Sequence, residues 1–244
     1  MLFRSDFCKA NDGVKIDYQS VGSGAGVKNL IDGTVDFGAS DAAMKPDEMD
    51  KVDGGVQLLP LTAGGIVLAY NIDGVKELKL SRDAYVGIFL GDVTRWNDEV
   101  IRKDNPAVKL PDEAINVVVR ADSSGTTFVF TKHLAAVSKE FDSKIGVNKA
   151  PNWPVGTKSK GNEGVTQGIT TTPNSIGYIE YGFAKSTKLS MATLQNKAGE
   201  FVAAKPAAMQ AALESVEMPE DLIAWIPDPE GDGCYPIVTY TWLL

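Results

Sequence analysis

The sequence predicts an α/β fold, and three observations predict it. Strand-like and helix-like patterns alternate along nearly all of its 244 residues. A strongly β-branched run, residues 115–119, ends on Arg120 and passes through Asp122-Ser123-Ser124-Gly125-Thr126 into a helical pattern. Strand, small-residue loop and helix in that order make the ligand-binding arrangement of α/β sheets, at the carboxyl ends of strands. Thirdly, Gly22-Ser23-Gly24-Ala25-Gly26 opens another helical run, and Asp36-Phe37-Gly38-Ala39-Ser40-Asp41 sets an acid at an expected strand end.

Taken in order, residues 14–19 alternate apolar and polar as a half-buried strand does, and 27–31 continue the helix begun by the glycine loop. Short buried strands are predicted at 35–38, 56–59 and 66–71. Ser81-Arg82-Asp83 caps a helix with Tyr85, Ile88 and Phe89 on one face. Asn97-Asp98-Glu99 starts another, which Pro106 ends. After the strand at 115–119 comes a helix carrying Phe130, Leu134 and Val137 at i, i+4 and i+7. Residues 162–171 read as a helix, 175–180 as a strand, and 206–215 as an Ala-rich helix with Pro206 in its first turn. The Gly-rich, charged stretches 156–164 and 227–233 read as mobile loops.

The three small-residue segments converge on one chemistry. The first N–H groups of a helix lack internal partners, and the aligned peptide dipoles leave partial positive charge there. Glycine permits close backbone approach to an anion, and Ser and Thr add donors. Arg120 adds a planar fork suited to two oxygens of one anion. Charge-assisted bonds contribute roughly 1.5 to 3 kcal/mol each, so a handful suffices for tight binding. Asp41 repels a bare oxyanion but accepts a proton from hydrogen phosphate. A site built on one such bond can reject the analogue lacking it by about 10⁴ to 10⁵. Phosphate therefore fits these residues better than sulfate.

Composition narrows the classes further. A net charge of −8 without any Lys/Arg cluster argues against nucleic acid as partner. No stretch reaches the roughly 20 apolar residues of a membrane span. Cys8 and Cys234 read as packing cysteines, and a single histidine in the chain speaks against a metal site. No cofactor is called for. The glycine loop alone would be a tight turn at a helix start, and it is not a Walker A loop because Asn29 follows Lys28. Asp41 alone would be a cap, and Arg120 alone a surface ion pair. His133 with Ser124 suggests a hydrolase pair, but the glycine required two residues before a nucleophile-elbow serine is absent. The four tryptophans read as packing residues, with Trp153 a candidate for a cleft rim.

Joined in order, Val-Gly-Ser-Gly-Ala-Gly-Val-Lys, Gly-Thr-Val-Asp-Phe-Gly-Ala-Ser-Asp, Leu-Ala-Tyr-Asn-Ile, Arg-Ala-Asp-Ser-Ser-Gly-Thr-Thr-Phe and Ser-Ile-Gly-Tyr-Ile-Glu-Tyr resemble the phosphate-binding proteins of high-affinity phosphate ABC transporters, from Val14 to Leu244. The resemblance implies a two-lobed, type II periplasmic-binding-protein fold that closes on phosphate about a hinge. It implies phosphate-binding roles for Ser23, Asp41, Arg120, Ser124, Gly125 and Thr126, with Asp41 accepting the phosphate proton and Asp122 orienting Arg120. It implies delivery of phosphate to permease subunits by a periplasmic or extracytoplasmic, non-enzymatic monomer. The rivals are a phosphomonoester hydrolase using the same pocket and an oxyanion sensor without a transport role.

The lobes are expected at 1–70 plus 234–244 and at 71–233, crossing near Ala69-Tyr70 and Cys234-Tyr235. Both ends read as unfinished. Phe3, Phe7 and Ala10 suggest the tail of a helix, and residues 235–244 stop on an apolar run. The family's N-terminal Gly-Ala-Thr/Ser-Phe loop has no match, and neither have its C-terminal helices. The expectation is a fragment truncated at both ends.

Overall fold

The computed structural model describes residues 8–11 and 13–244, of which 8–10 are helical. Phe3 and Phe7 lie outside the described residues. The described chain opens with helix α1 (Ser23–Ile31), strand β1 (Ala39–Ser40) and the short helix α2 (Pro46–Met49). Strand β2 (Leu59–Asn71) follows. Beyond lie β3 (Lys79–Leu80), α3 (Arg82–Leu90), α4 (Glu99–Asp104), β4 (Asn116–Arg120), α5 (Gly125–Val137), α6 (Lys139–Lys144) and β5 (Thr157–Ser159). These are followed by α7 (Gly161–Thr171), β6 (Ser175–Glu180), α8 (Tyr181–Thr187), β7 (Ser190–Met191), β8 (Thr193–Gln195), β9 (Phe201–Val202), α9 (Pro206–Glu214) and β10 (Val238–Leu243).

The 13 residues of β2 join the two lobes. Its first half pairs antiparallel with β10, from Leu59 opposite Leu243 to Gly65 opposite Val238. Its second half pairs antiparallel with β6, from Ile66 opposite Glu180 to Asn71 opposite Ser175. The main sheet therefore runs β1-β10-β2-β6-β4-β5, with β7 also on β2, and β3-β8-β9 form a small second sheet. Strands β4, β5 and β6 are parallel, which forces helical crossovers between them. That geometry puts the loop after β4 at the sheet's carboxyl edge.

Each lobe has its own core. The larger one gathers the buried half of β2, Val117 to Val119 of β4, and Ile176, Tyr178 and Ile179 of β6. Phe130 stacks on Tyr178 at 4.6 Å and meets Phe89 edge-on at 4.7 Å. The smaller core is Val27, Ala43, Met44, Leu58, Trp242 and Leu244, with Ile223 and Trp225 packed against it. Trp242 Nε1 donates to the Leu222 carbonyl at 2.8 Å, tying the segment before β10 to this lobe.

The regular elements of the larger lobe lie where periodicity put them: α3, α4, β4, α5, α7, β6 and α9 all match within one or two residues. The early strands differ. Residues 14–19 form no strand, because alternation makes a segment two-faced but supplies no partner edge. Residues 35–38 form a bend that delivers the chain to β1, leaving Val35 and Phe37 exposed. Residues 56–58 are irregular, and the strand starts at Leu59.

The two expected mobile loops are structured. Residues 156–164 hold β5 and the first turn of α7. Residues 227–233 are fastened by Arg82 to Asp228 at 2.6 Å, by the Pro227 carbonyl to His133 at 2.7 Å, and by the Gly233 N–H to Glu200 at 2.7 Å. Ala69 and Tyr70 lie inside the second half of β2, and Cys234 and Tyr235 belong to the larger core. Among the described residues, no helix is long and apolar enough to cross a membrane.

Gly177 sits where β6 passes between β2 and β4 beneath α7, and a Cβ there would lie 2.7 Å from the Val118 carbonyl oxygen and 3.0 Å from Ile169. Backbone cannot move aside as a side chain can. Gly177→Ala should therefore destabilise the fold by about 1 to 3 kcal/mol, read as a lower urea midpoint at unchanged slope.

Candidate functional site

Helices α1 and α5 begin face to face across the junction of the lobes. Gly22 caps α1 with φ of 84°, a conformation that favours glycine. Ser124 caps α5, its Oγ accepting from Thr127 N–H at 3.1 Å. The approach is close: a Cβ on Gly125 would lie 2.2 Å from Ser23 Oγ and 2.8 Å from Asp41 Cβ. Gly24 N–H donates across the junction to the Ser123 carbonyl at 3.0 Å. Two helix N-termini and their positive dipole ends thus share one small volume.

Arg120, at the carboxyl end of β4, supplies the full charge, with its side chain only 4% exposed. Its Nε and Nη2 fork onto both oxygens of Asp122, at 2.9 and 2.6 Å, while Nη1 turns toward Thr126 Oγ1 at 3.4 Å. Gly161 N–H, at the start of α7, holds Asp122 Oδ1 from behind at 3.0 Å. Burial pushes the Asp122 carboxyl up, but Arg120 and this N–H outweigh it and keep the carboxyl below the usual range. Asp122 thus orients Arg120. Tyr178 reinforces the strand end, its hydroxyl accepting from Arg120 N–H at 3.1 Å and bonding Thr127 Oγ1 at 2.8 Å.

Asp41 follows β1 and is half-buried. Burial raises its pKa, against lowering by a hydrogen bond from Thr241 and by the charge of Arg120. Thr241 Oγ1 donates to Asp41 Oδ1 at 2.6 Å, and Asp41 N–H donates to Ser23 Oγ at 3.2 Å.

All six residues singled out in the sequence, Ser23, Asp41, Arg120, Ser124, Gly125 and Thr126, come together here. The hydroxyls share a pattern invisible in sequence. Ser23 Oγ accepts from Asp41 N–H, Ser124 Oγ from Thr127 N–H, and Thr126 Oγ1 from Arg120. A hydroxyl whose oxygen is engaged as acceptor retains its own proton to give away. Three such protons and one guanidinium suit an oxyanion.

His133 is not part of this group. It is buried in the larger core between the Tyr85 hydroxyl at 2.9 Å and the Pro227 carbonyl at 2.7 Å, and burial lowers its pKa to about 4. Trp153 is buried among Phe89, Phe130, Phe141 and Tyr178, so it lines no rim. Sequence reasoning missed Thr241, Tyr178 and Gly161. Only the Thr239/Thr241 pair carried a signal, two hydroxyls at strand spacing on one face.

Residues 3–244 match the PBP superfamily domain. The phosphate-binding protein PstS of Pasteurella multocida is 41% identical over 239 residues, covering 95% of this chain and 68% of that protein. The chain belongs to the PstS family of phosphate-binding proteins. Another PstS, from Methanocaldococcus jannaschii, is 40% identical over 260 residues, covering 98% of this chain and 67% of that one. The chain thus spans about two thirds of the length of the curated PstS relatives it matches. In fold it is similar to PfluDING, a high-affinity periplasmic phosphate-binding protein solved with phosphate, at a TM-score of 0.73 and 20% identity over 95% of this chain and 74% of that one. A second DING protein superposes at a TM-score of 0.76 with 21% identity, over 95% and 75% of the two chains.

A carboxyl whose folded pKa is raised stabilises the fold fully below its unfolded pKa, about 3.9, and loses that contribution as pH rises through the folded value. Asp41→Asn removes this loss and keeps an oxygen for Thr241. The variant should melt higher than the parent at pH 7, with the difference vanishing near pH 3.5, as measured by calorimetry across pH.

Proposed function

We propose that this protein is the receptor of a phosphate ABC transporter. It binds inorganic phosphate between its lobes, outside the cytoplasm, and hands it as a monomer to the permease subunits. The observation that carries the reading is a half-buried carboxylate, Asp41, inside a cradle otherwise made for an anion. Asp41 in that place is a liability for any fully ionised oxyanion and an asset for one that brings a proton. Ser23, Ser124 and Thr126 give hydroxyl protons, Arg120 the charge, and Gly125 an N–H at a dipole end. The printed names of the PstS relatives support the same ligand.

The two lobes close on the ligand because it needs both. Ser23 and Asp41 come from one, Arg120 to Thr126 from the other, and a ligand shifts an equilibrium only by contacts that differ between its states. We assign the first lobe to both ends of the chain. The hinge lies at Gly64-Gly65 and Ile237-Val238, where β2 exchanges β10 for β6 as its partner. The engagement of Ser124 as a helix cap and of His133 with Tyr85 and Pro227 supports a receptor over a hydrolase.

Titration calorimetry with phosphate and sulfate tests this. Phosphate should bind at least a thousandfold more tightly, and equal affinities would remove Asp41 from its role. Arg120→Ala should weaken phosphate at least a hundredfold, and an unchanged affinity would exclude Arg120 from the site.

A further inference from the structure

Thr239 and Thr241 lie two apart on β10, and so on one face of the strand. Both reach Asp41: Thr239 Oγ1 approaches its main-chain carbonyl at 3.3 Å, and Thr241 Oγ1 donates to its Oδ1 at 2.6 Å. The grip spans 200 positions of sequence. A register shift in the β2–β10 ladder lies just after Thr241, which pairs with Thr62 while Trp242 pairs with Pro60. Irregularities of this kind re-aim side chains at functional sites.

We propose that Thr241 is a positioning residue that sets the site's choice between protonated and bare oxyanions. The inference rests on the phosphate-receptor reading. Occupied by the Thr241 hydroxyl, Asp41 Oδ1 is withdrawn from the ligand, and only Oδ2 remains to meet it. The bond also favours the ionised carboxylate, which can accept but not donate. An Asp41 that had become protonated would offer a proton to a bare oxygen and welcome sulfate. Thr241 therefore acts on specificity through Asp41, without touching the ligand itself.

Other groups also act on this carboxyl. Arg120 at the end of β4 draws it toward ionisation. Tyr18, in the segment before α1, and Glu180, at the end of β6, interact with its charge. Two of these neighbours are themselves acidic, so the hydroxyl of Thr241 and the charge of Arg120 are what oppose desolvation at this site.

The test compares the parent protein with Thr241→Val, which keeps the shape, Thr241→Ala, and Thr241→Ser, which keeps the hydroxyl. Affinities for phosphate and sulfate are measured by calorimetry from pH 5 to 9, with thermal melts confirming folding. Loss of a hydrogen bond to a charged group should lower the phosphate-to-sulfate ratio by about tenfold to a hundredfold in Val and Ala. The acidic limb of phosphate binding should also move to higher pH, and Ser should restore both. If the parent discriminates but Val and Ala keep its ratio and pH limb, or weaken both anions equally, Thr241 is merely structural and the inference fails. A parent that takes both anions alike overturns the receptor reading and this inference with it.

Discussion

Charge taken out of water governs this molecule. Arg120 is buried and Asp41 half-buried beside it, where an ion costs several kcal/mol unless its partners are in place. Arg120 is held in place by its neighbours: Asp122 takes Nε and Nη2, Gly161 backs Asp122, and Tyr178 fixes the strand from which the side chain springs. For Asp41 the partners are only partly complete. One oxygen has Thr241, and burial still holds the carboxyl's pKa up. The protein thus carries an oriented cation beside a carboxylate with one oxygen still to be met. That asymmetry is the chemical request the site makes of its ligand.

The rest of the architecture serves that placement. Parallel pairing of β4 with β5 and β6 is what brings Arg120 and the start of α5 to one edge. The second half of β2 anchors that sheet in the larger core, and its first half carries β10 with both threonines. The glycines at 24 and 125 matter as absences of side chain, since a Cβ at either would meet an oxygen of the facing lobe at 2.2 Å.

Much of this was legible in the sequence, for identifiable reasons. Helix starts advertise themselves through Gly, Ser and Thr, so the anion cradle could be assembled from Ser23 and from Ser124 to Thr126 before any fold was known. Strands buried on both faces, such as β4, appear as apolar runs, and β6 likewise. What stayed hidden is whatever depends on pairing across long separations. Residues 14–19 have a strand's alternation and no strand, while β2 runs well past the apolar stretch that announced it. The grip of Thr241 on Asp41 is written only in the register of β10. The stretch 227–233 looked like a free loop because its anchors, Arg82, His133 and Glu200, are scattered through the chain.

The long reach of β10 also bears on how the chain comes to be folded. The larger core gathers mainly from segments between β2 and α9, so it can condense as those segments emerge. The smaller one needs distant segments, because among the described residues Val27, Met44 and Leu58 share it with Trp242 and Leu244, with Ile223 and Trp225 packed against them. Closing such a loop costs entropy before any contact repays it, and unpaired strand edges stay open to wrong neighbours meanwhile. A chain made from its amino end would hold the first half of β2 without its β10 partner until that strand emerges. Leu59 and Leu61, exposed even in the finished fold, sit on that same half-strand. The hazard is therefore concentrated in time, in the interval before β10 is delivered, and a chaperone that shields one short edge would cover most of it.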